Sequence, residues 1–170
     1  MPDSRGFTYA SMVDFHLHHF DLATGKSRRV TDEETRAPLH IVSHDGKWIV
    51  YQSSDSIGER EGNIRVRPFP ETQAFQRIVS TGIGRQPLWS HDGRELFYRS
   101  PTHLVAATIL RNPELAVGRR ERLFTDSYAR PPNPRANYDV FPGDQEFLMV
   151  QGDGSEDGLV VVLNWFDQVR

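Results

Sequence analysis

An all-β fold assembled from repeated four-stranded units is what this sequence predicts, and three observations lead there. The first is self-similarity. Ser43-His44-Asp45-Gly46-Lys47-Trp48-Ile49-Val50-Tyr51 is matched by Ser90-His91-Asp92-Gly93-Arg94-Glu95-Leu96-Phe97-Tyr98. Weaker copies stand at Phe141-Pro142-Gly143-Asp144-Gln145-Glu146-Phe147-Leu148-Met149 and at Pro2-Asp3-Ser4-Arg5-Gly6-Phe7-Thr8-Tyr9. Aligned on Asp3, Asp45, Asp92 and Gly143, the copies are 42, 47 and 51 residues apart, the range of four-stranded propeller blades. The second observation is a series of short β-rich runs bounded by Gly, Pro, Asp and Ser. The third is that no window of a dozen residues carries an apolar stripe at i, i+3, i+4, so long helices are not expected. Together these predict a partial β-propeller of about three and a half antiparallel blades, a single segment over 1–170.

The units fall at approximately 1–31, 37–81, 85–126 and 136–170. In the first, the motif opens at Met1-Pro2-Asp3, which leaves three strands. In the second, an inner strand from Pro38 precedes Trp48 to Tyr51, Ile64 to Arg67 and Gln76 to Val79. The third repeats this with Gln86 to Trp89, Leu96 to Tyr98, His103 to Leu110 and Arg122 to Phe124. The fourth supplies Phe147 to Val150 and Leu159 to Leu163 after its inner strand. Pro68, Pro70, Pro113, Pro131, Pro132 and Pro134 fall between strands, where a missing donor does least harm. In the turns, Asp45 and Asp92 accept backbone hydrogen bonds while Gly46 and Gly93 take the positive-φ position. The Gly143-Asp144 order predicts a different turn in the last copy. Trp48, Tyr51, Trp89, Phe97 and Tyr98 are expected between neighbouring blades, supplying most of the apolar area there. Closed propellers have roughly four to eight blades. The expectation is therefore either the C-terminal part of a longer propeller or two copies paired into a ring of about eight blades.

Composition narrows the function. The 170 residues carry 20 Lys+Arg against 23 Asp+Glu, a formal net charge of -3, which argues against a nucleic-acid binder. With Cys at 0, disulfides, thiolate metal sites and Cys nucleophiles are excluded. No run approaches the roughly 18 apolar residues of a membrane span, so no membrane insertion by this segment is expected.

At its repeat motifs the chain resembles the TolB-like (WD-type) β-propeller family, whose blades carry Ser-Pro-Asp-Gly before a short hydrophobic strand. Here His replaces Pro in Ser43-His44-Asp45-Gly46 and Ser90-His91-Asp92-Gly93. Gln86-Pro87-Leu88-Trp89 resembles the family's inner strand, and Ile64-Arg65-Val66-Arg67-Pro68-Phe69 its third. His18-His19-Phe20-Asp21-Leu22-Ala23-Thr24-Gly25-Lys26 is similar to a third strand and its turn. Val160-Val161-Val162-Leu163-Asn164-Trp165-Phe166 is similar to the end of propellers fused behind bacterial Ser/Thr kinases as sensor domains. The resemblance implies an extracytoplasmic, periplasmic setting and a role in protein binding, ligand sensing or service to a peptidase.

Candidate chemistry is sparse. On a strand, His16 and His18 would share a face and could reach one Zn²⁺, but the spacing dictates no third ligand. Asp153-Gly154-Ser155-Glu156-Asp157-Gly158 mimics half a calcium loop, with Asn164 where the bidentate acid belongs. Arg119-Arg120-Glu121-Arg122 would be split between two strand faces. No Gly-x-Ser-x-Gly elbow, Walker-type loop, His-Glu-x-x-His or kinase catalytic loop is present. Arg36, Arg85 and Arg135 stand just before successive inner strands, where their guanidiniums would draw an anionic ligand or acidic peptide to the channel mouth. The expectation is a non-enzymatic recognition or sensor module for a protein, peptide or small ligand, with no cofactor. The alternative is an accessory propeller of a serine peptidase or other hydrolase whose catalytic domain lies outside this chain.

Overall fold

The computed structural model describes residues 5–11, 13–31, 36–54, 62–70, 75–111, 115–130, 136–152 and 157–162. Among them, fourteen strands form four antiparallel sheets and there is no helix. Blade 1 holds β1 (Gly6–Ala10), β2 (Leu17–Asp21) and β3 (Lys26–Arg29). Blade 2 holds β4 (Arg36–Val42), β5 (Trp48–Ser54), β6 (Asn63–Pro68) and β7 (Arg77–Ile78). Blade 3 holds β8 (Arg85–Trp89), β9 (Glu95–Arg99), β10 (His103–Leu110) and β11 (Ala116–Thr125). Blade 4 holds β12 (Tyr138–Val140), β13 (Phe147–Gly152) and β14 (Asp157–Val162). Strands neighbour one another in chain order within every sheet, the up-and-down meander of a propeller blade. The chain is a partial β-propeller.

Side-chain alternation along the second strand of each blade builds the core. In β9, Leu96 and Tyr98 join the layer shared with blade 2, whereas Phe97 joins the layer shared with blade 4. In β5, Ile49 and Tyr51 pack toward blade 1 and Val50 toward blade 3. A strand that lies between two neighbours is apolar on both faces, which is why these runs are continuous rather than alternating. Tyr51, Trp89, Phe97 and Tyr98 are buried as expected. Trp48 is only half-buried, because it opens β5 beside the turn and sits at the edge of its layer.

Polar contacts stitch the blades together. Trp89 Nε1 donates to the Ile41 carbonyl at 3.3 Å, and Arg120 Nε donates to the Val79 carbonyl at 2.6 Å. Arg67 Nη1 donates to the Val30 carbonyl at 2.7 Å. Lys26 and Lys47 are the chain's only lysines; the planar Arg fork suits such fixed carbonyl targets better than a flexible ammonium.

The turns use the serine as well as the Asp-Gly pair. Asp45 Oδ1 accepts from the Lys47 N–H at 3.1 Å, and Asp92 Oδ1 from the Arg94 N–H at 2.8 Å. Ser43 Oγ and Ser90 Oγ each donate to their aspartate and accept from the N–H of Trp48 and Glu95. Gly46 and Gly93 stand at φ 70° and 69°, where a Cβ is unfavourable. The fourth turn differs: Asp144 itself stands at φ 60° and turns its carboxylate away from its own hairpin.

His40 is a titratable group caught between blades. It projects from β4 onto blade 1, with Nε2 3.0 Å from Thr8 Oγ1, while its buried Nδ1 has no partner among the described residues. Burial holds its pKa below the ordinary value, opposed by the Thr8 contact. The folded chain therefore prefers neutral His40, whereas the unfolded chain binds a proton near pH ~6.5. Its contribution is complete above that pH and is lost as the pH falls through it toward the folded-state pKa. Chemical unfolding at pH 7.5 and 5.5 should show a smaller acid loss for His40→Gln than for wild type; equal losses would clear His40.

Candidate functional site

The Asp-Gly turns join β4 to β5 and β8 to β9, so the starts of β4 and β8 lie at the other face of the propeller. At that face blade 3 carries a buried charge cluster. Arg85 opens β8 opposite Arg99, the last residue of β9, and a bulge separates this pair from Leu88↔Phe97. Gln86, inside the bulge, stands at φ 52°, a strained conformation for a non-glycine residue and one that re-aims a side chain.

Arg99 is only 1% exposed, and the Asp126 carboxylate is entirely buried. The pair is bidentate: Nε and Nη2 each donate to one Asp126 oxygen at 2.6 Å. Nη1 donates to Gln86 Oε1, the Ala129 carbonyl and Asn137 Oδ1, and Nη2 also reaches the Tyr128 carbonyl. All five donors are thereby used, as a buried guanidinium demands. Blade 4 closes the cluster, with Tyr138 Oη donating to the Gln86 carbonyl at 2.8 Å. Desolvation pushes the Tyr138 phenol well above its ordinary range, so it acts only as a neutral donor.

Arg130 is the solvent-facing member. Its Nη2 donates to Asp126 Oδ2 at 2.6 Å and to the Ser100 carbonyl at 2.9 Å, and its side chain is 30% exposed. Two guanidiniums thus share one carboxylate. Among the described residues, Nε and Nη1 of Arg130 make no hydrogen bond. Partial desolvation lowers its pKa, Asp126 opposes this, and repulsion from Arg99 and Arg85 adds to it. An arriving anion would relieve that repulsion.

The sequence-derived candidates are placed as follows. Arg85 lies in this cluster. Arg36 is described by its backbone alone; it opens β4 opposite Ser54. The blade 2 counterpart of Arg99 is Gln52, which pairs with Leu39, so Arg36 sits further along the strand than Arg85 and the two are not register equivalents. Arg135 lies outside the described residues, as do 153–156 of the calcium-like loop and 163–166 of the closing segment. His18 Nε2 approaches Asp14 Oδ2 at 3.2 Å and stacks on Tyr9. His16 is buried just before β2. Among the described residues no three His, Asp or Glu side chains gather as a metal site. On β11, Arg120 reaches blade 2 while Arg119 pairs with Glu121 at 3.2 Å, the split that strand alternation predicts. Arg99, Asp126, Arg130 and Asn137 were not singled out from sequence. The available signal was Arg99 itself, a charge closing the apolar run Leu96-Phe97-Tyr98.

The turn face is a second polar cluster. His44 and His91 stack across blades 2 and 3, with centroids 5.9 Å apart. Asp144 of blade 4 accepts the His91 N–H at 2.9 Å and faces His91 Nδ1 at 2.9 Å. Arg111 of blade 3 donates to Asp45 of blade 2 at 2.9 Å. These contacts join blades.

Comparison with solved structures agrees with this architecture. TolB from Acinetobacter baumannii superposes with a TM-score of 0.63 at 17% identity, over 96% of this chain and 39% of that one. The chain has a TolB-like propeller fold. The β-propeller domain of Cps50 (Swd1) from Myceliophteria thermophila gives a TM-score of 0.57 at 10% identity, over 98% of this chain and 57% of that one. Dipeptidyl peptidase 4 of Porphyromonas gingivalis gives 0.50 at 14% identity, over 96% and 28%. An uncharacterized protein of Agrobacterium fabrum is 29% identical over 85 residues, 49% of this chain and 28% of its own length. The chain thus spans well under two thirds of these proteins. No family model matches it. No helix of the described residues is long and apolar enough to cross a membrane.

Proposed function

We propose that this propeller segment is a recognition module without catalysis of its own, and that it takes a carboxylate-bearing protein or peptide at the face where β8 begins. The observation that supports this is Arg130: it shares Asp126 with the fully satisfied Arg99, part of its side chain is open to solvent, and the three N–H donors of its Nε and Nη1 make no hydrogen bond among the described residues. The buried pair fixes the position of Asp126, and Asp126 in turn fixes Arg130, so the exposed guanidinium is held in place before a ligand arrives. Pre-organisation of that kind lowers the ordering cost of binding. Arg130 with Arg85 beside it suits carboxylate chemistry, for which a planar fork is the best partner. The accessory-domain alternative draws only on likeness of fold to the peptidase. Blade faces left uncovered by this segment would be covered by further blades of a longer chain or by a second copy.

The test is a calorimetric titration with an N-acetylated Asp/Glu-rich peptide as the probe. Wild type should bind, with affinity falling as salt rises, and Arg130→Gln should weaken binding at least tenfold with little change in Tm. Equal affinity of the two proteins, or no binding by wild type, would remove the site. Peptide hydrolysis by the isolated chain would overturn the non-catalytic reading.

A further inference from the structure

Among the described residues, the seams that join successive blades are not built alike. The layers on the two sides of blade 3 consist of aliphatic and aromatic side chains such as Val50, Leu96 and Trp89, or Phe97, Phe124 and Phe147. The layer between blades 1 and 2 has its own apolar patch around Leu17, Ile49, Tyr51 and Phe69, but imidazoles and a guanidinium share it. His19 of β2 packs edge-on against Phe69, with ring centroids 5.2 Å apart. Thr8, its cross-strand neighbour, meets His40 of β4. His16 is buried just ahead of β2, where the Phe15 carbonyl accepts the Ala37 N–H. Arg67 of β6, 3% exposed, reaches the Val30 carbonyl across the same seam.

Among the described residues no carboxylate reaches His40. Its Nε2 meets Thr8 Oγ1 at 3.0 Å, and its buried Nδ1 meets no partner. Its cross-strand partner on β5 is Tyr51, whose hydroxyl donates to Gln76. On β2, Asp21 lies within electrostatic reach of His19, and Arg28 of β3 pairs with His19 in register. Tyr9 and His18 stack on the opposite face of blade 1. β8 packs on the other side of β4, where Trp89 meets Ile41, and its Arg85 belongs to the charge cluster of blade 3. In either tautomer, a second proton leaves the His40 ring with a buried Nδ1–H and no acceptor for it. That cost is relieved once water reaches the ring, which happens when blade 1 moves off β4.

We propose that the seam between blades 1 and 2 is an acid-sensitive joint: protonation of His40 releases blade 1 from β4 while the seams on both sides of blade 3 stay closed. The depressed pKa of His40 has the sign this requires. Below pH ~6.5 the open form takes the proton that the closed form refuses, so acid favours opening. The effect is confined because, among the described residues, no buried histidine lies in the other two layers. It is a local opening, distinct from the global unfolding that His40 also influences.

Hydrogen exchange of the 170-residue chain at pH 7.5 and 5.5, corrected for the intrinsic rate at each pH, reads the joint. Acid should lower protection in β1 and β4 by up to about tenfold, the limit set by one pH unit below the ordinary histidine pKa. β9 and β10 should keep theirs. His40→Gln, which offers Thr8 a neutral partner, should remove the response, whereas His16→Gln and His19→Gln should retain it. The proposal is overturned by the absence of a selective loss in wild type, or by a loss spread evenly over the blades. A response that survives His40→Gln, or that is lost with His16 or His19 instead, overturns it as well. Should His40→Gln unfold, NMR titration of the wild-type imidazoles decides: a His40 ring still neutral while β1 opens is equally fatal.

Discussion

Asp126→Ala should lower the unfolding free energy by about 3–5 kcal/mol, because it strips the charge partner from a guanidinium that has no access to water. Arg99 would keep its carbonyl and amide acceptors but hold an uncompensated charge inside the protein. Arg130 would lose its anchor at the same time, so the loss is expected at the upper end of that range. Asp126→Asn, which keeps shape and one acceptor, should cost less. The double variant Arg99→Met/Asp126→Leu should be more stable than Asp126→Ala, since removing both charges abolishes the desolvation penalty as well as the attraction. Equilibrium urea titrations measure all three. A loss below about 1 kcal/mol for Asp126→Ala would mean that water reaches the cluster.

Trp89→Ala should cost about 3–5 kcal/mol. The indole is 4% exposed in the layer between blades 2 and 3, and its far side is covered by the Arg111 guanidinium at 5.5 Å. Its loss opens a cavity among Val50, Val66, Leu96 and Tyr98 and removes the Nε1 donor from the Ile41 carbonyl. Trp89→Phe separates these contributions by keeping most of the volume without the donor. A Trp89→Ala loss under about 1 kcal/mol would place the ring outside the inter-blade layer.

The fold was legible because its signals are local and repeated. Ser43-His44-Asp45-Gly46 and Ser90-His91-Asp92-Gly93 mark hairpins, and the continuous apolar run after each marks a strand buried on both faces. The three-four-four-three strand pattern follows from those marks and from the spacing of the copies. The charge cluster was less legible for the opposite reason. Arg99 and Asp126 are 27 residues apart and meet only once β9, β10 and β11 are paired, and Asn137 and Tyr138 join them only from blade 4. Arg36 and Arg85 could both be found because each opens an inner strand, but Arg36 stands nine residues before Asp45 and Arg85 seven before Asp92, so the two occupy different register positions. The role of His44 and His91 was half visible. Their recurrence pointed to structure, but their stacking across blades depends on a turn-to-turn distance that sequence does not contain.

Near-identical segments carry a hazard of their own, since a strand from one blade can take the place of its counterpart in another while the chain is still forming. Apolar pairing does little to prevent this, because Ile49, Leu96 and Phe147 would each satisfy the others' positions tolerably. The residue at the end of β9 is different in kind. Its counterparts are Ala10, Gln52 and Val150, and a guanidinium placed at any of those sites would find no Asp126, Asn137 or Gln86 waiting for it. Misplaced at the buried Gln52 site, Arg99 would be a buried charge without a counter-ion; in its own place it is fully paired. The cluster thereby marks β9 as belonging to blade 3, a distinction that the interchangeable apolar positions do not make.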